Sequence, residues 1–431
     1  MELFLLLLQI PVLIFIIKYI RKQHSDSLFV NSYYYLLSFK VTAGLILGII
    51  YFKYYGYGDT NSYYHDLELA KNVLYSSWEK YFKLIFLGDI PDEIKLSSAN
   101  YRDDRAYSFI RIVSPFYILL GSNYWICSIY LSLFSFFGLW ILTNTIIKFY
   151  KVNSLALLIS FFIFPSVVFW SSGLIKESFI IGAMCIQISI ALSMANLLTK
   201  RWVLKFSVLL ILSLAVLKIK FYYFAVLFAV LVPYSLVKYF SEKIPFLKNN
   251  KSYRISVFFL LLIMMTLLAS FYHPVLHLDY LSNALYLNYS TTLKFSNSYN
   301  TYIFEGLNAS PSSFITHIPK ALVYGLFGPL LWQCNNLITA INGTENMILI
   351  FLFITFLLTN LKKEKLIKID IEEISLVIYI VTLAMFMAFA SPNWGSLVRY
   401  KIGYLPFFLL LILNNNIIIS QLERRFSFLK L

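Results

Sequence analysis

The sequence predicts an all-α fold, a polytopic bundle of membrane-spanning helices, and three observations predict it. Apolar residues make up 59% of the 431 and charged residues only 13%. The apolar residues gather in runs near the roughly 20 residues that cross a hydrocarbon core of about 30 Å. Lysine and arginine fall mostly in the short stretches between those runs. Such a chain has too little polar surface for a soluble globule and too many apolar residues for disorder. The formal net charge of +15 therefore reports on topology first and anionic lipid second, rather than on nucleic acid. Forty Phe and thirty-three Tyr, many at the ends of apolar runs, match aromatic belts at the two interfaces.

In chain order, the first span covers about 2–20 and is followed by Arg21 and Lys22, which puts that loop in the cytoplasm and the N-terminus outside. The run lacks a leading basic region and a small-residue cleavage site, so it reads as a retained span. Span two, about 34–53, leads to a large polar outer loop, 54–106, with Asp59, His65 and Asp66 at its start and Arg102, Asp103, Asp104 and Arg105 at its end. Residues 107–120 are apolar but interrupted by Arg111 and Pro115, which suits a re-entrant or interfacial segment. Span three, about 123–146, ends at Lys148 and Lys151.

Spans four and five, 154–170 and 178–198, are joined by a turn that includes Gly173, Lys176 and Glu177. An ionisable pair at the lip of a span is a functional-site hypothesis by default; the plainer reading is a snorkelling lysine beside a solvated turn. Spans six and seven, about 203–217 and 221–238, enclose Lys218 and Lys220 on the outer side, against the charge rule, which makes both candidates for binding an anion. The basic loop 238–254 is cytoplasmic, and span eight, about 255–272, leads to a second large outer loop, 273–320. The segment 321–333 is short and broken by Gly328-Pro329. Reading it as re-entrant keeps Lys362, Lys363, Lys365 and Lys368 inside. Spans nine to eleven, about 344–361, 374–390 and 402–420, end in a cytoplasmic tail with Arg424 and Arg425. The result is one integral membrane domain, 1–431, of about eleven spans, with no internal repeat.

Cys127, Cys185 and Cys334 show no CxxC spacing, so neither a disulfide framework nor a metal cluster is expected. P-loop, GxGxxG, HExxH and GxSxG templates are all missing from the sequence. His273, His277 and His317 share a loop without ligand spacing and read as ordinary loop residues. What the topology does assemble is a set of outer-face charges: the Asp59 stretch, Lys176 and Glu177, Lys218 and Lys220, and the 391–401 stretch with Arg399 and Lys401. Several cations with a few carboxylates at a membrane boundary suit an anionic lipid headgroup. Arg399 supplies a bidentate fork for a diphosphate, Lys176 and Lys401 supply point charges, and Lys218 and Lys220 remain further candidates for binding an anion.

The reaction that fits is glycosyl transfer from a polyprenyl diphosphate-linked sugar. Its leaving group is already activated, and it needs a positioned acceptor hydroxyl, a base and cations for the departing diphosphate. Asp59, His65 or Asp66 is the expected base. Glu177 is the next candidate, or else only the partner that orients Lys176. A divalent metal between Asp59 and Asp66 has no recognised ligand signature. The reading calls for no cofactor and no metal.

The run Phe164-Pro-Ser-Val-Val-Phe-Trp-Ser-Ser-Gly-Leu-Ile-Lys-Glu-Ser178, the segment Phe327-Gly-Pro-Leu-Leu-Trp332 and the stretch Arg399-Tyr-Lys-Ile-Gly-Tyr-Leu-Pro406 together resemble polytopic proteins of bacterial surface-polysaccharide clusters. Those proteins are grouped with O-antigen and exopolysaccharide polymerases of the Wzy and EpsG types and, in layout, with C-type membrane glycosyltransferases. The resemblance covers most of the chain in layout and three short motifs in sequence. It implies undecaprenyl diphosphate-linked sugars handled on the outer face of the bacterial inner membrane. It also implies diphosphate binding by an outer-loop arginine, here Arg399, and an acidic residue in the first outer loop, here Asp59. The expected partners are that lipid-linked sugar, membrane lipid and other polysaccharide-assembly proteins, not nucleic acid. The chain departs from the pattern at Gly328 and Gln333, where relatives tend to carry a basic and an acidic residue. A flippase or transporter of a lipid-linked oligosaccharide is the alternative from another class, and a structural subunit of an envelope complex is a third.

Overall fold

The computed structural model describes residues 2–24, 27–98, 100, 103–197, 200–272, 277–296, 298–361 and 370–425. Arg102, His273, Lys362, Lys363, Lys365 and Lys368 lie outside these residues. Among the described residues the architecture is helical, with one isolated antiparallel bridge between Thr301 and Asn393.

Helix α1 (Glu2–Gln23) precedes α2 (Tyr33–Ile49), which runs on through a π-helical turn to Tyr55. The polar stretch expected as a loop is folded: α3 (Asp59–Ser76), α4 (Trp78–Phe82) and α5 (Asp92–Ser97) pack against α6 (Asp104–Leu119) or against one another. Arg111 and Pro115 do not interrupt α6. Arg111 donates through Nε and Nη2 to the Ile85 carbonyl at 3.1 and 2.8 Å, so its charge is spent on closing the α4–α5 connection. Then come α7 (Tyr124–Phe149), α8 (Ser154–Leu158), α9 (Pro165–Trp170), α10 (Lys176–Ala195), α11 (Trp202–Ile219), α12 (Phe221–Lys243), α13 (Pro245–Asn249) and α14 (Lys251–Tyr272). The C-terminal part holds α15 (Leu278–Phe295), α16 (Pro311–Phe327), α17 (Leu337–Leu361), α18 (Ile371–Ala390), α19 (Trp394–Tyr400), α20 (Leu405–Asn414) and α21 (Ile417–Arg425).

Eight helices among the described residues are long and apolar enough to cross a membrane. They are Val30–Tyr55, Tyr124–Phe149, Lys176–Ala195, Trp202–Ile219, Phe221–Lys243, Lys251–Leu268, Thr339–Leu361 and Ile371–Ala390. The pair Trp394–Gly403 and Leu405–Asn414, bent by 65°, makes a ninth if counted as one span. Two expected spans are corrected. The run 154–170 is not one helix: Pro165 has no N–H to donate and pushes Phe164 out of the helical region, to ψ 121°, so α9 starts afresh. The run 402–420 is likewise divided, first by the bend at Tyr404 and again after Asn414.

The bundle is centred on α7 and α10, which cross where both backbones lack side chains. A Cβ on Gly138 would fall 2.4 Å from the Gly182 carbonyl oxygen, so only glycine permits this approach. Trp140 and Phe136 of α7 are fully buried against Tyr33. By contrast, α11 and α14 turn mostly outward, with 11% and 6% of their apolar windows buried, as expected of helices on the lipid-facing rim. The second expected outer loop, 273–320, also contains helix: α15 and the start of α16.

Candidate functional site

The turn between α9 and α10 is held from three sides. Gly173, at φ 81°, donates its N–H to Ser132 Oγ at 2.8 Å, and a Cβ there would lie 3.2 Å from the Gly44 carbonyl oxygen of α2. Ser178 Oγ donates back to the carbonyls of Gly173 and Ile175 at 2.8 and 2.7 Å. Thr60, in the first turn of α3, donates to the Leu174 carbonyl at 2.8 Å and accepts from the Tyr124 hydroxyl at 2.9 Å. That last pin brings Asp59, the residue before Thr60, beside the start of α10.

The first turn of α10 carries Lys176 and Glu177. A carboxylate is favoured at a helix N-terminus and a cation is not, so Glu177 is at home and Lys176 needs partners. It finds them in Asp103, with Nζ 3.6 Å from Oδ2, and in the face of Tyr63, 5.3 Å away. Lys220 occupies the break between α11 and α12, its Nζ 3.2 Å from Glu177 Oε1 and 3.5 Å above the centre of the Tyr400 ring. Arg399 sits in the last turn of α19, where the helix dipole favours a cation. The Asn393 side chain caps that helix by accepting from the Ser396 N–H, and Trp394 packs 4.3 Å from the Tyr302 ring, which fixes where Arg399 emerges.

Arg399 joins the two acidic halves of the cluster. Its Nη1 donates to Asp59 Oδ2 at 2.6 Å, and its Nε lies 3.4 Å from Glu177 Oε1. Glu177 is the floor, with a side chain 1% exposed, while Asp59 and Asp103 form the open rim at 42% and 39%. Glu177 Oε1 and Arg399 Nε are buried and, despite their ionic contacts, neither has a hydrogen-bond partner with acceptable geometry among the described residues. The Arg399 guanidinium holds the Asp59 carboxyl below its ordinary range, against the opposing effect of burial. Burial pushes the Asp103 carboxyl up, but Lys176 and Arg105 together outweigh it and leave the group below its ordinary range.

Five of the nine residues singled out in the sequence therefore meet: Asp59, Lys176, Glu177, Lys220 and Arg399. Four do not. Asp66 lies two turns further along α3, about 10 Å from Asp59, too far for both to ligate one ion. It is buried and accepts from Asn100 Nδ2 at 2.8 Å, holding the end of the folded 59–100 stretch, and burial raises its pKa. His65 is exposed and points about 120° away from Asp59 around the helix. Lys218 is exposed on the outward side of α11 and takes no part in the cluster.

Lys401 is 1% exposed and turned into the bundle. Its Nζ donates to the carbonyls of Leu326 and Gly328 at 3.2 and 2.5 Å and to Asn346 Oδ1 at 3.2 Å. Three acceptors use all three ammonium protons, so Lys401 ties α16 to α17 and is not a point charge for a ligand. Among the described residues no group of three His, Cys, Asp or Glu side chains is placed to hold a metal ion.

Sequence reasoning did not select Asp103, Tyr63 or Tyr400 for the site. Tyr400 stood between two selected residues. Asp103 stood in a charged run whose approach to Lys176 depends on the folding of α3–α6. No family model matches the chain, and neither a curated protein nor a solved structure matches it.

Proposed function

We propose that this cluster binds the diphosphate of a polyprenyl diphosphate-linked sugar and that the protein transfers the sugar to an acceptor hydroxyl, as a polymerase or glycosyltransferase of a surface polysaccharide. The observation that carries the reading is buried Glu177 beneath the largely covered Arg399 and Lys220, with Glu177 Oε1 and Arg399 Nε short of hydrogen bonds, opening through Asp59 and Asp103 at the end of apolar helices. In this scheme the diphosphate enters from the exposed side and displaces Asp59 from the Arg399 fork, while Glu177 remains as the fixed counter-ion below. Loss of the cation raises the basicity of Asp59 at the moment the acceptor arrives, and the released carboxylate takes the hydroxyl proton. The acceptor oxygen bonds to the anomeric carbon as the bond from that carbon to the diphosphate oxygen breaks, and Lys176 and Lys220 neutralise charge on the leaving polyprenyl diphosphate. The resemblance and the charge rule support placing this chemistry on the outer face of a bacterial inner membrane, with the N-terminus outside and the C-terminus in the cytoplasm.

A second reading, transport of a lipid-linked oligosaccharide, is favoured by different residues. Lys40 is 3% exposed within the span Val30–Tyr55 and donates to Ser171 Oγ, and the α8–α9 and α19–α20 helices are interrupted. Buried charge within a span and broken helices are transporter features.

The deciding experiment is sugar transfer from a polyprenyl diphosphate-linked donor by the purified protein in lipid, with donor binding measured in parallel, wild type beside Arg399→Ala. Product from the wild type that vanishes in the variant supports transfer. Binding without product across several donors supports transport, and absence of binding leaves a structural role.

A further inference from the structure

Helices α10 and α12 carry the charge cluster at one end, through Lys176, Glu177 and Lys220. At their other end they enclose an unrelated cavity of about 380 Å³. From Glu177 to Leu192 along α10 is about 22 Å and from Lys220 to Leu227 along α12 about 10 Å, so the cavity runs from the middle of the bundle toward the face opposite the cluster. The walls of the cavity are apolar, formed by Leu142, Ile188, Leu227, Val230, Leu376 and Leu410 of five different helices. Its mouth is polar and shares Asp370 and Glu372 with a second cavity of about 220 Å³. That second chamber alternates charge: Lys238 pairs with Glu372 at 3.1 Å, Lys248 with Glu242 at 3.6 Å, and Arg254 with Asp370.

An apolar chamber opening into a polar one is the shape of an amphiphile site, with chain in the first and headgroup in the second. The charge balance selects the headgroup. Among the described residues that line the second chamber, three cations interleaved with three carboxylates leave a purely anionic headgroup facing like charges, whereas a phosphate beside an ammonium finds a partner for each sign. An ammonium with N–H donors also satisfies the carboxylates by hydrogen bonding, which a quaternary ammonium cannot do. We propose that the paired cavities bind one phospholipid with a phosphate and a primary ammonium in its headgroup, its acyl chain between α7, α10, α12, α18 and α20.

The test uses full-length protein in phosphatidylcholine nanodiscs and a phosphatidylethanolamine probe with a photoreactive diazirine at the acyl end. The adducts are mapped by mass spectrometry. Labelling is expected on the 188–192 and 227–231 stretches. Unlabelled phosphatidylethanolamine should compete it away, with phosphatidylglycerol weaker and soluble glycerophosphoethanolamine ineffective. Filling the chamber with Val230→Trp should remove most of the label while labelling of the outward faces persists. If that variant does not fold, the competition series on the wild type decides alone. Adducts confined to outward residues such as Leu210 and Leu260, or phosphatidylglycerol competing as well as phosphatidylethanolamine, overturn the proposal. Competition by glycerophosphoethanolamine alone would overturn the lipid and leave a free phosphodiester as the ligand.

Discussion

Arg399 contacts Asp59 and Glu177 through different nitrogens of one planar group, a geometry lysine cannot copy. Arg399→Lys is therefore expected to lower transfer about a hundredfold to a thousandfold, comparable to losing one aligned donor, with insertion unchanged. A kcat near wild type would remove Arg399 from diphosphate binding. Asp59→Asn keeps shape but not basicity, and a loss of about 10²–10⁴ in kcat with donor affinity retained is expected. The reverse pattern, weak binding and intact turnover, would make Asp59 a ligand contact rather than a base. Glu177 lies beneath two cations. Glu177→Gln should destabilise the fold by about 3–5 kcal/mol, because it leaves Lys220 and Arg399 short of a counter-ion, and thermal unfolding in detergent reads this directly.

At the scale of elements, the sequence was most readable where a single helix carries its own signal. Apolar runs located α7, α10, α12 and α18 to within a few residues, because each buries or exposes a continuous apolar surface. It was least readable where local chemistry and hydropathy disagree. Residues 154–170 are apolar throughout, yet Pro165 divides them, while residues 59–97 are polar and yet form helices whose buried face includes Tyr63, Leu67 and Val73. The site followed the same division: Asp59 and Arg399 stand 340 residues apart, and the loop-by-loop charge rule put them on one face without showing that they touch. Lys401 misled because its charge was visible and its three acceptors were not. Lys401→Met should lower stability by roughly 1–3 kcal/mol, through the Leu326, Gly328 and Asn346 acceptors left unpaired, and should leave activity per folded molecule unchanged. At the α7–α10 crossing, Gly138→Ala sets a methyl against the Gly182 backbone and should cost about 1–3 kcal/mol. An unchanged unfolding midpoint would mean that the helices separate more easily than their contact implies.

For the molecule as a whole, acid is the natural probe of the cluster. Asp59 and Asp103 both ionise below the ordinary carboxylate range in the folded protein, so folding is stabilised by their charge wherever the unfolded chain would also be ionised. That contribution is complete above about pH 4 and is lost as pH falls through the depressed folded values. The share of thermal stability that Asp59 and Asp103 supply should thus hold from neutral pH to the ordinary carboxylate range and drop below it. The drop should be smaller in Asp59→Asn, and an identical acid profile in that variant would show that the Arg399 pairing does not stabilise the fold.

The break at Phe164 also sets an order of events in time. The freshly started α9 presents the Ser166 N–H, and its acceptor is Glu345 Oε1 at 2.8 Å, a residue 179 positions further along the chain. At about 5–20 residues per second of synthesis, that acceptor does not exist until roughly ten to thirty-five seconds after Ser166 has been made. During that interval the α9 start must be satisfied by water or by the machinery that inserts it, so the middle of the molecule stays unsealed until α17 arrives. A nascent chain halted before residue 345 should leave a cysteine placed at Ser166 open to a water-soluble thiol reagent, and release of the full-length chain should close it.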